Sequence, residues 1–165
     1  MDDFRSQIPQ AAFINAQVIQ SAISDGDLGR SLCEIAAHYN FPHWPMMNPA
    51  YVASLLYCLI VVPKEIWDPQ SNDRIYELLE KDDPLGLFQT KKWTPSPNEH
   101  PIRDFIRHLR NAISHVRFAV DSDRNFEFWD TNRKGVETFR AFITLDNLAK
   151  FLSTVGAELA NLRSR

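Results

Sequence analysis

The stretch HLRNAISHVR, residues 108–117, sets Arg110, Asn111 and His115 within little more than one helical turn. Arginine carries a planar, permanently charged fork that matches two phosphate oxygens at once. Histidine is the residue type that gives and takes protons near neutral pH. An arginine that holds a phosphate beside a histidine that moves protons is the smallest kit for cleaving RNA. The 2′-hydroxyl is the built-in nucleophile. A base removes its proton, a cation steadies the crowded phosphorane, and an acid protonates the leaving 5′-oxygen.

The helix that must carry these groups is predicted over about 98–117. On a wheel at 100° per residue, Ile102, Phe105, Ile106, Leu109, Ala112, Ile113 and Val116 share one arc. Arg103, Asp104, Arg107, His108, Arg110, Asn111, Ser114 and His115 fill the other. The apolar arc is expected to dock on a core and the polar arc to face solvent. Most polar arcs mean only exposure and mix Glu with Lys. This one carries Arg103, Arg107, Arg110 and Arg117 against Asp104 alone, a local excess of +3 in a chain of net charge -3. Arg103, Arg107, Ser114 and Arg117 are therefore expected along an RNA path. Ser114 is not read as a nucleophile, because helical neighbours point about 100° apart.

The rest of the chain supplies a frame. At 165 residues and 44% hydrophobic, it is one domain's worth with a sizeable core. The pI of about 5.9 gives no overall basic signal, so a nucleic-acid partner needs a local patch. Helices are expected at about 8–23, 28–40, 49–67 and 72–81, then the motif helix. Alternation predicts strands at about 117–121, 125–131 and 136–143. A last helix, capped by Thr144, spans about 145–162. The fold class is mainly α: a helical bundle with a small antiparallel sheet inserted before the final helix. Residues 82–101 read as a long connection punctuated by prolines. In it, Lys91, Lys92 and Trp93 suit either a grip on single-stranded RNA or a half-buried tryptophan. Trp129 reads as sharing one packed hairpin face with Phe126 and Phe128.

Other chemistries are weighed and set aside. Cys33 and Cys58 sit in apolar helical patterns and read as reduced core thiols. Cys33, His38 and His43 fit no zinc spacing, so no metal and no cofactor is expected. No phosphate-cradling glycine loop is present, and the five glycines read as turns or ends. The run AYVASLLYCLIVV, 50–62, is shorter than the ~18 residues of a membrane span. The N-terminus is acidic and polar, unlike a secretory signal. A cytoplasmic protein without a membrane segment is expected.

Arg110-Asn111-Ala112-Ile113-Ser114-His115 resembles the Arg-x-x-x-x-His motif of the HEPN superfamily. These are small helical bundles common in prokaryotic toxin, plasmid and phage-defence systems. Asn111 matches the polar residue that often follows the arginine. The resemblance implies a HEPN-like bundle acting as a metal-independent endoribonuclease, with RNA as partner and a homodimer composing the active site. Carried over, Arg110 binds and polarises the scissile phosphate, His115 is the general acid or base, and Asn111 orients the phosphate or the histidine. It also implies a toxin or effector, with a protein or nucleic-acid antitoxin as a further partner. One branch has a tyrosine two residues after the histidine. Here that position is Arg117, so that branch's silencing by modification does not carry over. The second reading is a non-catalytic interaction or nucleotide-binding module of the same family, using the same face.

Overall fold

The computed structural model describes residues 8–24, 49–63, 83–123 and 125–161 without a break, and residues 26, 30, 34, 37, 38, 73, 76, 77 and 79–81 singly. Helix α1 spans Ile8–Ser24. Helix α2 starts at Pro49–Leu56 and continues through a wider π-helical turn, Tyr57–Val61. A 3₁₀ turn, Pro84–Leu87, leads into strand β1, Gln89–Lys92. The motif helix, α3, spans Pro101–Ser114. Strands β2 (Phe118–Val120), β3 (Phe126–Thr131) and β4 (Glu137–Ile143) follow, then helix α4, Leu145–Asn161. The architecture is mainly α with one small sheet.

The expected strands and last helix are found within a residue or two at each end. Thr144 caps α4, its Oγ1 accepting from Asn147 N at 3.3 Å. Of the helices expected at 28–40 and 72–81, residues 30, 34, 37 and 38 and residues 73, 76, 77 and 79–81 are helical. Cys33, His43 and residues 64–70 lie outside the described residues. Cys58 is half-buried and unpaired to another cysteine. No helix among the described residues is long and apolar enough to cross a membrane.

The sheet is antiparallel throughout, in the order β1-β4-β3-β2. Its β1 edge corrects the reading of 82–101 as pure connection. All four residues of β1 are exposed, so the strand shows no apolar alternation and no sequence signal. Short, charged strands are the usual way to blunt an edge.

On β3 the alternation is strict: Phe126, Phe128 and Asp130 point inward, and Glu127, Trp129 and Thr131 outward. Trp129 therefore does not share a face with Phe126 and Phe128, contrary to the expectation from sequence. A period of two puts 129 opposite 128, and Arg140 covers its ring at 5.7 Å from the centroid. The core lies between α3 and the inner sheet face. Phe105 meets Phe88, Trp93 and Phe139 edge-on at 4.9, 5.3 and 5.1 Å, arrangements that suit aromatic quadrupoles. Helix α4 closes this layer with Leu148, Phe151, Leu152, Val155 and Leu159. Gly156 is no turn or end: it lies inside α4, where a Cβ would come within 2.1 Å of the Phe13 ring.

Candidate active site

Helix α3 is shorter than the sequence suggests. Pro101 opens it as a first-turn proline. It ends in a Schellman motif: Arg117 N donates to Ala112 O at 2.7 Å and Val116 N to Ile113 O at 3.1 Å. His115 is thus the cap residue, not a helical one, with φ -101° and ψ 11°. Val116 takes the left-handed position at φ 54°, where glycine is usual.

The polar arc of α3 is not a solvated face. Asp104, His108 and Arg110 are buried, and Arg103, Arg107 and Asn111 half-buried. Only Ser114 and His115 among the motif's polar residues stand exposed. The wheel placed Ile102, Phe105, Ile106, Leu109, Ala112 and Ile113 on the buried side correctly, but Val116, expected with them, lies past the helix end and is 73% exposed. Nor could the wheel show that the sheet and the segment before α3 wrap the arc and bring carboxylates and a tryptophan to it.

Two buried carboxylates organise that wrap. Asp104 accepts from Trp93 Nε1 at 2.7 Å and from Arg107 Nη2. Trp93 is therefore a structural clamp between the β1 segment and α3. Asp130, from β3, accepts at one oxygen from His108 Nδ1 at 2.9 Å and Asn111 Nδ2 at 3.0 Å. At its other oxygen it accepts from Arg117 Nη1 at 2.9 Å and from the Thr131 amide at 2.8 Å. His108 lies flat on Phe139, with 5.1 Å between centroids and 5° between planes, and its Nε2 faces Arg107 Nη2 at 3.3 Å. Burial pushes both carboxyls upward. The hydrogen bonds from Trp93 and Arg107 to Asp104, and from His108, Asn111 and Thr131 to Asp130, outweigh it. Both therefore lie below the ordinary aspartate range.

The same contacts correct the +3 patch. Arg103 pairs with Asp73 at 2.9 Å and lies over the Tyr76 ring at 5.2 Å. Arg107 pairs with Asp104 and with Glu99, the latter at 3.3 Å, and Arg117 pairs with Asp130. The charge count already included Asp104, and the further carboxylates, Asp73, Glu99 and Asp130, come from outside α3. Arg110 differs: among the described residues no carboxylate pairs with it. It lies close enough to Tyr76 to pull that phenol toward ionisation, although burial, the larger effect, raises it.

Of the residues singled out by sequence, the structure gathers Asn111 and Arg117 around Asp130. It ties Arg103 and Arg107 into separate ion pairs, leaves Arg110 without a carboxylate partner among the described residues, and leaves His115 and Ser114 exposed at the helix end. Asp130 was not legible as a site residue. Its one signal was its inward place in the β3 alternation, a charge where a core residue is due. Lys91 pairs with Glu127 at 3.0 Å on the outer sheet face, away from the inward-pointing side chains.

No curated protein and no solved structure gives a match to the chain. Residues 3–163 match the family described as HEPN pEK499 p136. That span takes in every described element, from α1 through the Arg110–His115 motif to α4, and the chain belongs to this family.

Proposed function

We propose that the protein is a metal-independent endoribonuclease that cleaves single-stranded RNA through the 2′-hydroxyl, and that it serves as a toxin or effector in a toxin–antitoxin or phage-defence system. The observation that carries this reading is the contrast among the arginines of α3. Arg103 and Arg107, like Arg117 just beyond the helix, are neutralised by carboxylates, whereas Arg110, at the motif position, has no carboxylate partner among the described residues, which suits it to an external anion. His115 stands exposed at the end of the same helix, free to reach a substrate.

In this reading Arg110 binds the scissile phosphate and steadies charge on the phosphorane. The 2′-oxygen loses its proton to a base and attacks phosphorus. The bond from phosphorus to the 5′-oxygen breaks, and an acid protonates that oxygen. A 2′,3′-cyclic phosphate and a 5′-hydroxyl result. One exposed His115 supplies one proton-transfer group, and His108 is committed to Asp130. A homodimer that brings two His115 to one groove supplies both base and acid.

The test is incubation of single-stranded RNA with the purified protein in EDTA. Cyclic-phosphate ends are expected, with activity falling at least 100-fold in His115→Ala at unchanged melting temperature. Specific activity should also fall on dilution as dimer gives way to monomer in sedimentation. Cleavage strictly dependent on added Mg²⁺ or Mn²⁺ defeats the mechanism. Intact RNA throughout, with RNA or nucleotide still bound, points to the non-catalytic module instead.

A further inference from the structure

The ribonuclease reading leaves open what Asn111 does, and its contact with Asp130 decides it. A carboxylate accepts and cannot donate, so the NH₂ end of the Asn111 amide must face it, as it does at 3.0 Å. Asp130 is itself buried and immobilised by three further donors, His108 Nδ1, Arg117 Nη1 and the Thr131 amide. The amide is therefore locked in one of its two flips, with its oxygen turned away from Asp130. That oxygen is an acceptor. It repels the non-bridging oxygens of a phosphate, which are also acceptors, and it suits a hydroxyl donor.

We propose that Asp130 is the positioning residue of the motif, fixing Asn111 so that its Oδ1 accepts from the substrate's 2′-hydroxyl. The inference rests on the ribonuclease reading and deepens it. Arg110 takes the phosphate, and Asn111, held from the far side by Asp130, takes the nucleophile. The pair then recognises ribose in particular, because deoxyribose offers no donor at that place.

The test uses His115→Ala as the uncut background and measures affinity for a single-stranded RNA and for single-stranded DNA of the same sequence, at one fixed salt. The background should prefer RNA by about tenfold, the worth of one good hydrogen bond. Adding Asp130→Asn or Asn111→Ala should bring the ratio close to one, with DNA affinity little changed. In the His115-containing protein, Asp130→Asn should raise KM for RNA about tenfold, in step with the lost RNA affinity, and lower kcat/KM by at least that factor. A purely structural Asp130 lowers stability and weakens RNA and DNA together, leaving the ratio intact, and that result overturns the proposal. Should Asp130→Asn fail to fold, Asn111→Ala decides: a retained RNA preference overturns the proposal equally. A protein that discriminates RNA in this way but never cuts it retires the ribonuclease reading while sustaining the role of Asp130 in recognition. Equal binding of RNA and DNA by the background, or binding of neither, refutes the Asp130 inference.

Discussion

Val116 is β-branched, sits at φ 54° and is 73% exposed. The left-handed conformation costs an L-residue roughly 1–2 kcal/mol, and so exposed a side chain recovers little of that by packing. Glycine adopts the conformation freely but loses more entropy on folding. Val116→Gly should therefore raise stability modestly, by about 0.5–1 kcal/mol, read as a melting shift of roughly 1–4 °C in a chain of this size. Unchanged or lowered melting would mean that the strain is relieved by a contact outside this chain. Arg110 requires a different expectation from the exposed histidine. At 9% exposure its aliphatic stem is packed, so Arg110→Ala should lose about 1–2 kcal/mol along with phosphate binding. Urea melts of the Ala and Lys variants separate the two losses, since Lys keeps most of the stem and lacks the fork.

Helix α4 crosses α1 at a point where only a residue without a side chain fits. A glycine inside an exposed helix usually costs about 1 kcal/mol against alanine. At Gly156 the sign should reverse, because a Cβ would come within 2.1 Å of the Phe13 ring. Gly156→Ala is expected to destabilise by roughly 1–3 kcal/mol through overpacking. Pairing it with Phe13→Leu should restore part of the loss, and a double-mutant cycle that shows no coupling would refute the crossing. Element boundaries were legible where periodicity was strong. The β2–β4 strands and α4 alternate or repeat cleanly. The polar β1 edge does neither, and only its pairing with β4 makes it a strand.

Across the molecule, the sheet grips the motif helix through charge as well as through its aromatic core. Asp104 and Asp130 are held below the ordinary aspartate range in the fold, against about 3.9 in an unfolded chain. The sign follows. Their stabilisation is present in full above the unfolded value and is lost as pH falls through the folded values. Urea stability from these groups should be flat from about pH 7 to 5 and fall steeply below about 4. Asp130→Asn should lower the neutral plateau and make the acid limb shallower. An acid limb of the parent's steepness in that variant would show that Asp130 contributes no linkage.

The sequence by itself determined the mainly helical class, three of the four strands, and the amphipathic helix with Arg110 and Asn111 on its polar side. These rest on local periodicity and residue chemistry, which neighbours along the chain define. What a polar residue faces is set by segments far away in sequence. Only the tertiary structure decided that His108 is buried between Asp130 and Phe139, that Arg103, Arg107 and Arg117 are neutralised, and that Arg110 has no carboxylate partner among the described residues. Asn111 and Asp130 lie nineteen positions apart, and nothing between them along the chain carries a trace of their hydrogen bond. A β-strand had to fold back across α3, with its inward alternation in register, before that carboxylate could meet the amide.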